Sequence, residues 1–436
     1  MSREMMVTTT PWLGDIPTEW GVERCKYNFI YHKDVAKNRA SDYERLALTM
    51  KGVIKRSKDD LDGLQPKDFE GYQIVNKGDL VFKLIDLAGV STSRVGLSAY
   101  DGLVSPAYIL MHADESKISK EYAAYFFLSM WHRLIFNEIG NGGIRSSLNS
   151  GDLLEVPITK PPISEQKAIV RYLDSKCSAI DEAIERHKKI IEKLEEYRKA
   201  EISKSVTVGM DNNVPMKHSG NKCIGNIPSH WGCCKILYVL SMPITDGPHE
   251  TPTAVDDGVP FISAEAVSQG NGRIDFDHMW GYISQDFYEQ CCKKYIPQRD
   301  DIYMIKSGAT TGKVAIVDTD RVFTIWSPLA VLRVDKAKMI AKYLFYYVQS
   351  TGYQQQVELG WNYGTQQNIG MRMVERLKVC VPTLEEQRLI TEHLDKVWER
   401  VNSAIDRENT IISKLEEYRK SIIYNAVTGK IDCREA

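Results

Sequence analysis

The stretch Leu194-Glu195-Glu196-Tyr197-Arg198-Lys199 recurs letter for letter as Leu415-Glu416-Glu417-Tyr418-Arg419-Lys420, near the ends of two long segments with matching apolar spacing. Upstream in both copies, Glu165-Gln166 aligns with Glu386-Gln387 and Leu173-Asp174 with Leu394-Asp395, all at one offset of 221 residues. An earlier repeat pairs Gly14-Asp15-Ile16-Pro17-Thr18-Glu19-Trp20-Gly21 with Gly225-Asn226-Ile227-Pro228-Ser229-His230-Trp231-Gly232 at an offset of 211, so the second half is ten residues longer between its markers. Ser105-Pro106 and Ser327-Pro328 form a weaker third pair. Repeats in fixed order and at near-fixed spacing are the signature of duplicated units. Each half reads as a short opening motif, a variable body and a long terminal helix.

From Ser164 to about Ser205 there is no Pro or Gly, and the positions Leu173, Cys177, Ile180, Ile184, His187, Ile191 and Leu194 step alternately by four and three. The second copy gives Leu394, Trp398, Val401, Ile405, Glu408, Ile412 and Leu415. This alternation is the coiled-coil seam pattern. The polar members His187 and Glu408 share one heptad position; a register device and a partly exposed seam residue are both open readings. Ser164 and Thr383 are the expected N-caps, and Gly209 and Gly429 mark the helix ends. Helices of about 40 residues span roughly 60 Å, and neither buries its seam alone. Packing against each other as an antiparallel pair solves this and relates the halves by a pseudo-two-fold axis.

The bodies carry short alternating stretches broken by turns, such as Tyr72-Gln73-Ile74-Val75, Asp79-Leu80-Val81-Phe82 and Val314-Ala315-Ile316-Val317, with aromatic-rich helix at Lys120 to Phe136 and Lys336 to Ser350. The predicted class is α+β: two mixed α/β bodies separated by two long helices. The hydrophobic content of 43% and charged content of 26% are those of a soluble globular chain. No run reaches the roughly 18 apolar residues of a membrane span, and the first residues lack a signal peptide's apolar stretch, so the expected location is cytoplasmic. A net charge of −2 argues against a free-standing nonspecific nucleic-acid binder. Nine cysteines without a Cys-x-x-Cys pair read as reduced structural thiols.

Catalytic motifs are missing. Gly308-Ala309-Thr310-Thr311-Gly312-Lys313-Val314 has three residues between its glycines and Val after Lys, where a phosphate-binding loop needs four and Ser or Thr. It reads as strand-turn-strand with a basic tip. No Asn/Asp-Pro-Pro-aromatic motif of a methyltransferase is present, Asp300-Asp301 lacks the companions of a nuclease site, and the nine His show no metal spacing. No cofactor, metal or catalytic residue is expected.

The motifs Ile16-Pro17-x-x-Trp20 and Ile227-Pro228-x-x-Trp231, Pro161-Pro162-Ile163-x-Glu165-Gln166 and Pro382-x-Leu384-x-Glu386-Gln387, with Thr245-Asp246-Gly247-Pro248-His249-x-Thr251-Pro252 and Lys306-Ser307-Gly308-x-x-x-Gly312-Lys313, resemble the specificity subunit of Type I restriction-modification enzymes over nearly the whole chain. The resemblance implies target-recognition domains at 11–160 and 223–381, conserved helical spacer regions at 161–209 and 382–430, and a linker at 210–222. It implies that each domain reads one half of a split, asymmetric sequence in double-stranded DNA. Two modification (methyltransferase) subunits and restriction subunits with ATP-dependent translocase and nuclease activity would be the partners, with no membrane. The seam residues Leu173, Ile180, Ile184, Ile191, Leu194, Leu394, Val401, Ile405, Ile412 and Leu415 are the expected partner-binding set.

Base reading favours Arg, Lys, Asn and Gln in loops. The candidates in the first body are Arg94 in Ser91-Thr92-Ser93-Arg94, and Arg145 and Ser146 in Asn141-Gly142-Gly143-Ile144-Arg145-Ser146-Ser147. Those in the second are His249, Lys306, Lys313, Asn362, Gln366 and Gln367. Arg145-Ser146-Ser147 and Gln366-Gln367-Asn368 fall at equivalent repeat positions. Two rival classes are a coiled-coil adaptor or scaffold without sequence-specific DNA binding, and an enzyme with an unrecognised site.

Overall fold

A computed structural model describes residues 3–60, 68–87, 92–140, 147–211, 213–363 and 367–434. Two compact units emerge: Met1–His187 with Asn409–Ala436, and Lys188–Glu408. The division cuts both long helices near mid-length, where the sequence segments treat each helical region as one block. Each unit therefore comprises one body, part of its own helix and part of the other.

The long helices run Ile163–Thr207 and Leu384–Val427, through sequences rich in Glu, Lys, Leu and Arg, which are strong helix formers. The second opens on a capping box: Thr383 Oγ1 accepts the Glu386 amide at 3.3 Å, and Glu386 Oε2 accepts the Thr383 amide at 3.0 Å. The first begins at Ile163, so Ser164 lies inside it and is not its cap; the Pro162 carbonyl takes the amides of Glu165 and Gln166. In the first unit Arg419 donates to Asp181 at 2.7 Å, and Ile180 and Ile184 bury beside Ile412 and Leu415. In the second, Arg198 donates to Asn402 at 2.8 Å, and Glu201 meets His393 at 2.8 Å. Rising numbers on one helix meet falling numbers on the other, so the pair is antiparallel. Among the described residues, no helix is long and apolar enough to cross a membrane.

Each body centres on a four-stranded antiparallel sheet. In the first the order is Val95–Leu97, Leu80–Phe82, Ile109–Ala113, Phe29–His32, and in the second Val314–Ile316, Ile302–Ile305, Leu329–Leu332, Thr245–Asp246. Side chains alternate across a strand. Hence Leu80 and Phe82 enter the core shared with the helices while Val81 joins a second cluster with Leu46, Leu48 and Val104. Ile302 and Met304 likewise face the helix side, and Tyr303 and Ile305 pack with Phe323 and Val331. The second layer differs: five strands in the first body, and three in the second, Gly281–Ile283, Val259–Ile262 and Thr324–Ile325. A strand at Met216–His218, inside the stretch read as a linker, pairs with Asn226–Pro228 of the opening motif.

The repeated motifs meet at the start of each long helix. The Trp20 indole donates to Glu165 at 3.0 Å and the Trp231 indole to Glu386 at 3.0 Å. Buried Gln166 accepts the Ser119 amide at 2.7 Å and donates to Pro161 at 2.9 Å; buried Gln387 accepts from Ile340 at 2.8 Å and donates to Pro382 at 3.0 Å. The strand after each opening motif closes on the strand before the helix, Gly21–Arg24 with Pro157–Lys160 and Gly232–Lys235 with Lys378–Val381. The end of the other long helix seals the site. Gly429 (φ +72) has no room for a Cβ, which would meet Pro17 at 2.4 Å, and at Gly209 (φ +84) it would meet the Trp231 ring at 3.0 Å. Both glycines take the left-handed conformation that terminates helices.

Truncating Trp231, 1% exposed, should cost about 3–5 kcal/mol, as for other buried aromatics; a melting curve of Trp231→Ala within about 1 kcal/mol of the parent would refute the role assigned to this junction. Burial opposes ionisation of Glu386, yet hydrogen bonds from His230, Trp231 and Thr383 outweigh it and hold the carboxyl down at about 2. Its contribution to stability is therefore present above the ordinary carboxylate range and lost as pH falls from about 4.5 toward about 2. Glu386→Gln should melt below the parent at neutral pH, with the two curves converging across that window. Ile184→Pro, in the buried seam, should cost about 3 kcal/mol or more and lower helical circular dichroism, while Ile184→Leu leaves it unchanged.

Candidate nucleic-acid interface

Strands Ile302–Ile305 and Val314–Ile316 form an antiparallel strand-turn-strand, as the sequence predicts for the Gly308 to Val314 stretch. The turn is braced by a distant hairpin in which Asn362–Tyr363 pairs with Gln367–Asn368. The Gly308 amide donates to Gln367 O at 3.0 Å, the Ile369 amide to Lys306 O at 2.8 Å, and Ser307 bridges to Asn368. Lys313 and Gln367, 54 positions apart, thus stand exposed on one small polar surface.

Beside it lies Asp246, 1% exposed, with three basic side chains against it: Lys294, Lys306 at 3.2 Å and His249 at 3.3 Å. Burial alone would raise the Asp246 pKa, but Lys294 and Lys306 reverse the sign and hold it down. Two lysines thus share one ionised carboxylate. Lys306 turns inward and is only 14% exposed, whereas the His249 ring is 73% exposed. A cavity of about 140 Å³ adjoins the cluster, lined by Gly247, Phe287, Lys294 and Tyr295 among others. Lys294 was not singled out by sequence reasoning, because only the fold brings the turn after the helix Gln285–Cys292 against Asp246.

The first body repeats the frame with different chemistry. The Leu148 amide donates to Leu84 O at 2.9 Å, as Ile369 does to Lys306, so the segments ending at Leu148 and Ile369 cross their sheets in the same way. Arg94 occupies the position of Lys313 but is 3% exposed, with its guanidinium donating to the carbonyls of Asp86 at 2.7 Å and Ile85 at 3.2 Å. Arg94, expected from the sequence to contact DNA, has its guanidinium engaged by its own loop. Buried Asp79 is held by His32 and His112, each at 3.0 Å, and at the equivalent site Asp301 is held by Arg333.

Arg145, Ser146 and Gln366 lie outside the described residues, and of Asn362 only the backbone is described. Of the expected partner-binding set, Leu173, Ile180, Ile184, Leu394 and Val401 are buried within the chain, and Ile191, Leu194, Ile405, Ile412 and Leu415 are partly buried. The apolar side chains the helices do expose include Ile190, Tyr197, Ile411 and Tyr418, two repeat pairs at the same offset of 221 residues, each seven apart on its helix.

The family described as "Type I restriction modification DNA specificity domain" matches residues 33–196 and 248–417. The chain is 24% identical over 436 residues to the "Putative type I restriction enzyme MjaX specificity subunit" of Methanocaldococcus jannaschii, covering 96% of this chain and 95% of that one. It is 23% identical to the StySPI specificity subunit of Salmonella potsdam, covering 92% and 85%. A solved chain from work on complex assembly and conformational transition of the type I R-M system is similar in fold, with a TM-score of 0.67 at 16% identity over 95% of this chain and 99% of that chain. With two family matches spanning most of its length, one in each half, this chain belongs to the DNA specificity family of Type I restriction-modification systems.

Proposed function

We propose that the chain is a non-catalytic specificity subunit that reads a bipartite, asymmetric DNA target, one half-site per body, and directs modification and restriction subunits in the cytoplasm. The observation that carries this reading is a constant frame with divergent tips. Trp20–Glu165 and Trp231–Glu386 fasten both bodies identically, while the equivalent tip positions hold buried Arg94 and exposed Lys313. Two heads mounted alike but armed differently suit a target whose halves differ.

In the second body His249, Lys313, Asn362, Gln366 and Gln367 are the proposed contacts, with Lys306 setting the local charge; in the first they are Arg145 and Ser146. The pairs Ile190 with Tyr197 and Ile411 with Tyr418 are the proposed docking faces for two modification subunits, since one partner type present twice needs one surface present twice. The domain boundaries at 11–160 and 223–381 mark the exchangeable pieces.

Gln367→Ala in the assembled complex should weaken cognate binding by about 1–3 kcal/mol and relax selectivity at one base pair; equal weakening on every mismatched duplex would make it a phosphate contact instead. Replacing residues 223–381 by a relative's body should change one half of the methylated sequence in a genome-wide map. A map in which both halves change, or a complex with no sequence preference at all, would favour the adaptor reading.

A further inference from the structure

Within the second unit a groove of about 610 Å³ runs between the body and the long helices, and its charged lining is Glu195, Arg198, Lys199 and Lys313. Three cations face one carboxylate. The Arg198 guanidinium lies over the Trp398 ring, 4.5 Å from its centroid, and Nη1 donates to Asn402 Oδ1 at 2.8 Å and Asn271 Oδ1 at 3.3 Å. Amide oxygens orient a guanidinium without cancelling its charge. Among the described residues, no carboxylate stands within ion-pair distance of Arg198, Lys199 or Lys313.

The duplication supplies an internal control. Arg419 is the repeat equivalent of Arg198, and Asp181 that of Asn402, both at the offset of 221 residues. In the first unit Arg419 donates to Asp181 Oδ1 at 2.7 Å, a neutralised pair. The second unit keeps the arginine, replaces its carboxylate by an amide, and puts Trp398 where the first has Cys177. A merely structural arginine would be served better by the carboxylate, because a partly buried cation without a counter-charge is costly.

We propose that this groove binds the phosphodiester backbone of DNA, with Arg198, Lys199 and Lys313 as its cations. The proposal rests on the DNA-reading function above. The lining favours a phosphate over a base, since its cations are joined by polar groups such as Gln354 and Thr311 rather than by a narrow apolar slot. Continuity decides the occupant: Lys313 belongs both to the groove and to the polar tip that carries Gln367, so a strand read at the tip passes its phosphates toward Arg198.

The test measures binding of cognate and one-base-mismatched duplexes over a range of salt concentrations, using the full chain assembled with its modification subunits. For every phosphate that a substitution leaves without its cation, the slope of log K against log salt should flatten by about 0.9. Arg198→Gln and Asn402→Asp should each do so, weakening cognate and mismatched duplexes alike, while Arg198→Lys keeps the parental slope. Asn402→Asp recreates the pair seen in the first unit, so it should melt at or above the parent, which separates a binding defect from a folding defect. Parental slopes in Arg198→Gln and Asn402→Asp, with selective binding intact, overturn the groove and leave the two-headed reading standing. Absence of selective binding by the unsubstituted complex overturns both. Stabilisation by inorganic phosphate at constant ionic strength, abolished by Arg198→Gln but accompanied by unchanged DNA slopes, would assign the groove to a free anion and overturn the phosphodiester.

Discussion

The hydrogen bond from the Trp231 indole to Glu386, with its twin from Trp20 to Glu165, joins segments that are far apart in the chain. Each carboxylate sits in the first turn of a long helix, where the helix dipole favours negative charge. Each indole belongs to the opening motif of the same half, and the turn ending the other long helix packs against it through Gly209 or Gly429. The buried hydroxyls of Tyr122 and Tyr343 add bonds to the Val427 and Val206 carbonyls, at 3.1 and 3.4 Å. Removing one partner would strand a buried donor or acceptor, which costs more than the bond contributes when made. Body, helix start and helix end are thereby interdependent, and none can drift without exposing polar groups of the others.

A rigid mount frees the far side of each sheet to vary. The buried aspartates show how far substitution proceeds without altering the frame: His112 holds Asp79 where Arg333 holds Asp301. Past that layer the halves part company, with five strands against three in the second sheet and a buried Arg94 against an exposed Lys313. Such divergence on a duplicated frame is what separate half-site recognition demands, because base contacts need loop geometry specific to each sequence while phosphate contacts and mounting do not.

Charge is likewise a local matter. A net charge of −2 gives no hint of affinity for nucleic acid. Basic residues gather in particular places, around Asp246 with its three basic neighbours and in the groove where Asn402 stands in for a carboxylate. Other cations are paired with neighbouring acids, as with Arg388 between Glu385 and Glu392. Under the proposed function, association is steered by place rather than by total charge.

Taken alone, the sequence determined the duplication, the two long helices and their antiparallel pairing, because exact repeats and an unbroken four-three apolar alternation can be satisfied in few ways. It also located the junction motifs, since Ile-Pro-x-x-Trp and Glu-Gln recur at fixed spacing. It did not show that these motifs touch. The contact between Trp231 and Glu386 spans 155 positions, and no local periodicity encodes a meeting of that kind. Only the tertiary structure decided which basic residues are free. Arg94 and Lys313 look alike as loop cations, yet carbonyls of its own loop engage Arg94 while Lys313 stays exposed. Arg198 and Arg419 are identical in sequence context, and their charge differs in effect because the residue opposite, on the other helix, is an amide in one case and a carboxylate in the other.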